Sequence, residues 1–350
     1  MYYIYALAAA ALFGAATPVS KTMLAGLKPF MLASLCYFGS GLGLAALKLF
    51  SGAVSDPGAA REPALALRDW PYIAGFILAG GVAAPVLLFK GLLLTTSSGA
   101  SIMLNLELIF TSLIAWAVFK EHTGGRFWAA AALVVSGAAL LSVDFSSFSF
   151  LLGRGAVLVA LSAFFWGVDN NLTAKLSVKD PVSIALIKGL AGGSINLALA
   201  FWAGELVWTP ALLLPGLALG ALSYGASLVL FIMAMRGLGA ARSGAVFGAY
   251  PFFGAALSVI FLKEPLSFPL LSAFVLMALG FYLVVSERHG HEHEHREQLH
   301  EHLHAHDDAH HAHGHEERAA PAEPHAHSHT HAPARHSHEH LPDAHHKHEH

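Results

Sequence analysis

Charge is scarce in this chain. Asp, Glu, Lys and Arg make up 12% of its 350 residues, against 55% hydrophobic ones, where a soluble domain carries about 25% charged residues. Mean hydropathy is +0.56 even with a very polar C-terminal stretch averaged in, which excludes an ordinary soluble domain. Cysteine is nearly absent: Cys36 stands alone inside an apolar run, so no intrachain disulfide can form and the redox compartment stays open. There is no Gly-x-x-x-x-Gly-Lys-Ser/Thr loop for ATP hydrolysis, and neither His-Glu-x-x-His nor Gly-x-Ser-x-Gly to support a membrane hydrolase, so an enzyme is not expected. Basic residues are scattered among connectors, and without a dense patch nucleic acid is not an expected partner. The opening MYYIYALAAA has no basic n-region and no cleavage site before a polar sequence. The first apolar run is therefore expected to be a retained span and not a signal peptide.

From Tyr2 to Val285 the chain alternates apolar runs with short connectors holding Pro, Gly, Lys, Arg or Asp. Runs of about 18 to 22 residues cross a ~30 Å hydrocarbon core as helix, and their continuity excludes the in–out alternation of a barrel. Spans are predicted near 3–23, 30–49, 71–92, 98–119, 127–143, 155–174, 182–203, 212–235, 243–262 and 268–286. The connector from Ser51 to Asp69 is rich in Pro, Arg, Glu and Asp and reads as a solvated loop. Everything after Ser286 is low-complexity and cannot form a core.

Asn105 to Glu121, NLELIFTSLIAWAVFKE, lines up with Gly248 to Glu264, GAYPFFGAALSVIFLKE, so that Lys120-Glu121 matches Lys263-Glu264. More weakly, Phe13-Gly14 through Lys21 matches Trp166-Gly167 through Lys175. Each half then holds five spans. Because five is odd, the second half enters the membrane inverted, an arrangement suited to alternating access around a midplane site. The expected fold is an all-α integral membrane protein of about ten transmembrane helices: a first five-helix repeat over 1–143, a second over 144–286, and a disordered His-rich tail over 287–350. With the N-terminus inside, the inner connectors collect Lys48, Arg61, Arg68, Lys120, Arg126, Lys175, Lys179, Arg236, Arg242 and Arg288, and the outer ones only Lys21, Lys28, Lys90, Arg154 and Lys263. This bias predicts both termini in the cytoplasm.

Leu106-Glu107-Leu108, Tyr250-Pro251, Lys120-Glu121 and Lys263-Glu264-Pro265, set in a five-plus-five repeat, resemble the EamA-type branch of the drug/metabolite transporter superfamily. Its Leu-Glu-Pro opening is split here: Leu106-Glu107 keeps the first two residues and loses the proline, and Tyr250-Pro251 keeps the proline and loses the acid. The stretch Trp166 to Thr173, Trp-Gly-x-Asp-Asn-Asn-Leu-Thr, is also similar to a bacterial subgroup. The resemblance covers roughly residues 1 to 286. It implies a secondary transporter of a small solute in a bacterial inner membrane, acting as an exporter, with a homodimer as an open option. The lipid bilayer and a small-molecule solute are the implied partners.

Ionisable residues inside spans are costly and default to functional hypotheses. Glu107 lies nine residues from the start of the fourth predicted span and twelve from its end. It is a candidate proton-coupling or substrate-contacting carboxylate, the alternative being a structural carboxylate bonded to neighbouring helices. Asp169 lies six residues before Lys175, and Lys188 eight after Asp180. At 1.5 Å per residue both sit roughly 9 to 12 Å from the same boundary, so they are plausible partners, as a gate or as a structural tie. Asn170 and Asn171 extend that patch. Asn105, Asn196, Tyr224 and Tyr250 also fall near midplane and are candidate cavity residues. Pro18, Pro85 and Pro251 lie within predicted spans, where a missing N–H and a ring clash kink the helix. They are candidate hinges.

Of the 24 histidines, 23 fall between His289 and His350, commonly as His-x-His. His291, His293 and His295, and His327, His329 and His331, are candidate ligands, since clustered imidazoles suit Zn, Ni or Co without a fixed fold. No cofactor is required. Divalent metal ions are expected partners of the tail, as regulators of transport, as cargo (free or chelated), or as the signal of a membrane-anchored sensor that does not transport. A pH-responsive or incidental tail is the remaining alternative.

Overall fold

The computed structural model describes residues 1–52, 65–119, 125–142, 153–176, 180–238, 240–286, 289–295, 298–304, 325–331 and 334–340. Ten apolar helical segments run through them: α1 Tyr2–Met23, α2 Pro29–Leu49, α3 Leu67–Leu94, α4 Ser97–Val118, α5 Gly125–Leu141, α6 Arg154–Ala174, α7 Val182–Trp202, α8 Pro210–Met235, α9 Tyr250–Leu262 and α10 Phe268–Val284. Seven are long and apolar enough to cross a membrane; α5, α9 and α10 are shorter. A helix is the form such runs must take, because lipid offers no partner for a free N–H or C=O. Trp70, Trp116, Trp128, Trp202 and Trp208 are exposed near helix ends, while Trp166 is buried. Interfacial rings of tryptophan are the usual mark of a membrane boundary.

The packing repeats itself. In the first half α1 lies against α8 and α9, and α2 against α8; in the second, α6 lies against α3 and α4, and α7 against α3. The remaining principal pairs, α2 with α7, α4 with α9 and α5 with α10, join equivalent helices. This pattern is that of a pseudo-twofold axis relating two five-helix halves. Short connectors alternate the helix direction, so the bundle has a side carrying Lys21 and a side carrying Lys48.

Several helices are not continuous rods. A π-helical turn occupies Ile77–Ala83 in α3 and another Gly220–Ala226 in α8, and 220 − 77 and 226 − 83 both give 143. The span predicted at 98–119 is two helices, Ser97–Met103 and Leu106–Phe119, joined at Leu104-Asn105. The span predicted at 243–262 is likewise Ala240–Phe247 and then α9, joined at Gly248-Ala249. Asn and Gly are weak helix formers, and they sit at these joins. The three prolines stand in the first turn after an interruption: Pro18 after the turn at Ala15, Pro85 after the π-helical turn of α3, and Pro251 at the start of α9. Proline is tolerated there because first-turn N–H groups have no helical partner.

In the tail, β1 His289–His295 pairs antiparallel with β4 Ala334–His340, and β2 Gln298–His304 with β3 His325–His331. A two-stranded ladder is at most marginal in water, so these pairings add no hydrophobic core to the helical body.

Candidate functional site

Glu107 enters the site because α4 breaks just before it. It occupies the first turn of the helix Leu106–Phe119, and its side chain is half-buried. The Tyr250 hydroxyl donates to Glu107 Oε2 at 2.6 Å, and the Asn170 amide donates to Oε1 at 2.8 Å. Tyr250 opens α9 after the equivalent break, and 250 − 107 is again 143. The two residues that the repeat pairs therefore touch each other, which places their hydrogen bond on the pseudo-twofold axis. Asn170 also reaches Thr111 Oγ1 at 3.2 Å, and Asn171 donates to the carbonyls of Thr111 and Gly167 at 3.0 and 2.8 Å. These bonds fasten α6 to α4. Glu107 is thus held by neutral donors and not by a cation.

Asp169 and Lys188 meet as an ion pair of 2.5 Å between α6 and α7, with Thr173 also donating to Asp169. The pair lies against the π-helical turn of α3. A Cβ at Gly80 would stand 2.7 Å from Asp169 Cβ and closer still to its carboxylate, so only glycine lets the backbone approach. Tyr37 donates to the Gly80 carbonyl and the Asn196 amide to the Gly81 carbonyl, the latter at 2.8 Å. A π-helical turn leaves carbonyls outside the regular ladder, and these side chains satisfy them. The Asn196 carbonyl oxygen is buried without a partner.

An arc of rings links the two polar groups. Tyr250 packs edge-on against Phe13 at 4.8 Å, Phe13 against Tyr224 at 5.5 Å, and Tyr224 against Tyr37 at 5.8 Å. Acids and amides from α4, α6 and α7 thus face aromatics from α1, α2, α8 and α9 around one centre. Within this centre Asn170 is exposed and Lys188 is 21% exposed by side chain.

The structure brings together Glu107, Asn170 and Tyr250, and separately Asp169 and Lys188, with Tyr224 in the aromatic arc. Asn105 stands apart: its amide bonds the Ile102 carbonyl of its own helix at 2.8 Å, repairing the break in α4. Asn196 likewise serves backbone. Tyr37, Thr111 and Gly80 escaped the sequence reading, and nothing in their local sequence separates them from packing residues. Lys120-Glu121 lies outside the described residues, as do the side chains of His291, His293, His295, His327, His329 and His331. Among the described residues, no three His, Cys, Asp or Glu side chains gather as a metal site.

A bundle of inverted repeats with broken helices and charged residues at its centre defines a multi-pass membrane transporter scaffold. Residues 1–143 and 153–286 each match the EamA-like transporter family, and the chain belongs to that family. A curated relative from Methanothermobacter thermautotrophicus, described as an uncharacterized transporter, is 30% identical over 277 residues, covering 76% of this chain and 80% of its own. A solved crystal structure superposes with a TM-score of 0.59 at 19% identity, covering 81% of this chain and 95% of the other, which supports the fold alone. The protein is an EamA-type transporter.

Proposed function

We propose that the protein exports a small polar solute across the bacterial inner membrane, with both termini cytoplasmic, and that Glu107 couples this movement to protons. The observation that carries the reading is the hydrogen bond from Tyr250 to Glu107 across the pseudo-twofold axis. An ionised carboxylate accepts from both Tyr250 and Asn170. A proton on Oε2 reverses that bond, so that Glu107 donates and the Tyr250 oxygen accepts, and a charge-assisted tie between the two halves becomes a weaker neutral one. Protonation and the relative position of the halves are then linked. With the Lys48 side cytoplasmic, exposed Asn170 and partly exposed Lys188 offer hydrogen bonds and charge to a solute arriving from the cytosol.

The test uses proteoliposomes of the full chain with a trapped pH-sensitive dye, challenged with a panel of amino acids, amines, nucleosides and sugars. Wild type should show solute-dependent proton movement, and Glu107→Gln should keep solute exchange while losing it. Solute exchange without proton movement in wild type would sink the coupling role of Glu107.

The tail is read as a divalent-metal regulator. Backbone register sets His291 opposite His338, His293 opposite His336, His302 opposite His327 and His300 opposite His329, and a histidine-dense sequence suits Zn, Ni or Co. Deleting residues 289–350 should abolish metal binding by calorimetry and remove any metal response of transport. Metal accumulation changed in parallel with solute flux would favour a metal or metal-chelate cargo instead, and a metal response without any solute flux would favour a sensor.

A further inference from the structure

On the Lys21 side the packing of the ends of α1, α4 and α9 includes a cluster of buried serines. Ser20, Ser97, Ser98, Ser101 and Ser258 are each at most 2% exposed. Ser258 bonds Ser97 Oγ at 2.8 Å and the Gly254 carbonyl at 2.7 Å. The hydroxyls of Ser20 and Ser101 are buried with no partner. A permanent helix contact would be served better by alanine, because an unmet buried hydroxyl destabilises. A surface that is wetted in a second state has a use for all five hydroxyls.

This seam leads to the polar centre. At its inner end a Cβ on Gly254 would stand 2.7 Å from Ser101 Oγ and 2.9 Å from the Gly14 carbonyl, so α1 and α9 touch backbone to backbone there, with the Ser101 side chain of α4 against the same glycine. Tyr250, on Glu107, is one helical turn further in. At its outer end the Glu264 carboxylate accepts from the backbone N–H groups of Ser97 and Ser98, at 2.7 and 2.8 Å. Nearby on the same side, Glu205 accepts from the backbone N–H of Phe30 at 2.9 Å. Both acids belong to the second half and both sets of amides to the first. Each carboxylate sits where a helix presents unpaired N–H groups and positive dipole.

We infer that this serine seam is the closed exit route from Glu107 to the Lys21 side, and that Glu264 and Glu205 are the latch that holds it shut. The inference rests on the transporter reading. It adds the route, the residues that line it and the state described here: closed on the Lys21 side.

The test is accessibility, which needs no known cargo. In a full-length Cys36→Ala background, Ser101→Cys and, separately, Ser20→Cys report from inside the seam, read with a membrane-impermeant maleimide applied to the Lys21 side and normalised to labelling after denaturation. Each reporter should label slowly. Adding Glu264→Gln should speed labelling about tenfold or more, the equivalent of one lost hydrogen bond to a charged group, and adding Glu205→Gln should speed it further. Rates unchanged by the latch variants at both reporters, or labelling only from the Lys48 side, would overturn the inference. Latch-dependent labelling in a protein that moves no solute would sink the transport reading and leave the latch standing. Solute exchange with latch-independent labelling would sink this inference and leave the transport reading standing.

Discussion

The two halves of the bundle place different chemistry at equivalent points. Glu107 in the first half answers to Tyr250 in the second, and the two touch. Counted from Gly14 and Gly167, Asp169 answers to Ala16; counted from Pro29 and Pro181, Lys188 answers to Cys36. The ion pair of the second half thus has two small uncharged residues as its counterpart in the first. The helix starts differ in the same way. The first amide of α7, on Val182, is capped by its own neighbour Asp180 at 2.9 Å. The equivalent amide of α2, on Phe30, follows Lys28 and takes its carboxylate from Glu205 of the other half. An inverted repeat with identical halves would have mirror-image states of equal energy on the two sides of the membrane. Placing charge at only one of each pair of equivalent points and, among the described residues, borrowing a cap across the halves on one side only makes those states unequal.

The largest effect is expected from breaking the charge asymmetry. Asp169→Ala leaves Lys188 buried without its partner, and removing one member of a buried pair costs about 3–5 kcal/mol; with Lys188 partly exposed, the lower end is expected. Asp169→Ala combined with Lys188→Cys gives the second half the residues of the first and leaves no uncompensated charge. That double variant should unfold within about 1 kcal/mol of wild type, yet transport poorly. Thermal unfolding in detergent micelles decides the matter: a double variant as unstable as the single one would mean that the pair is not an isolated exchangeable unit. Gly80→Ala should mimic the single variant, because its Cβ displaces the Asp169 carboxylate.

Next in size is the contact on the axis. A hydrogen bond to a charged group is worth about 1.5–3 kcal/mol, a factor of roughly 10 to 100. Tyr250→Phe should weaken solute-coupled proton flux within that range, Glu107→Gln should abolish it, and the double variant should be no worse than Glu107→Gln alone, since Tyr250 acts on the proton through Glu107. Exchanging the two residues, Glu107→Tyr with Tyr250→Glu, should recover thermal stability lost in Glu107→Tyr alone. Failure of the exchange would show that the surroundings of the two positions, and not only the pair, distinguish the halves.

Much of this fold is legible in the residues, for a physical reason. Lipid forces each span to be a continuous apolar run, so ten runs read as ten helical segments, and the shared Lys-Glu ends of 105–121 and 248–264 reveal the repeat. Glu107 is legible because a carboxylate amid apolar residues is rare. Asp169 and Lys188 are legible as neighbours because equal depth on helices joined by a short connector limits where they can lie. The interruptions are harder to read. Asn105 and Asn196 look like ligands in a list of midplane polar residues, but each amide is spent on a backbone carbonyl, of Ile102 and Gly81, that a break or a π-helical turn left unmet. Tyr37 looks like packing and instead bonds a carbonyl 43 residues away. Polarity at a given depth does not say whether a side chain serves a solute or repairs its own backbone. That depends on where neighbouring helices depart from the α form, which glycine and proline hint at without locating.

The smallest effects concern the helix starts, and they separate a local cap from one that crosses between halves. Partial burial works against the charge of Asp180, but hydrogen bonds from Lys48 and Ser183 outweigh it and hold its carboxyl below the usual carboxylate range. A depressed folded-state pKa gives stability that is present above the unfolded value, about 3.9, and lost as pH falls through the folded one. Lys48 is 51% and Asp180 29% exposed, so screening limits the ion pair to about 0.2–1 kcal/mol. Asp180→Asn keeps a good N-cap and loses only the charge, so it should lower stability by less than about 1 kcal/mol at neutral pH and flatten the loss below about pH 4. Unfolding temperature followed from pH 6 to pH 3 checks this, and parallel curves for the two proteins would refute it. Lys28→Asp makes the complementary change, giving α2 the local cap that α7 already has. It should compete with Glu205 for the Phe30 amide and speed maleimide labelling of Ser101→Cys from the Lys21 side, by less than Glu264→Gln does. An unchanged labelling rate would mean that Glu205 holds α2 for reasons other than the missing local cap.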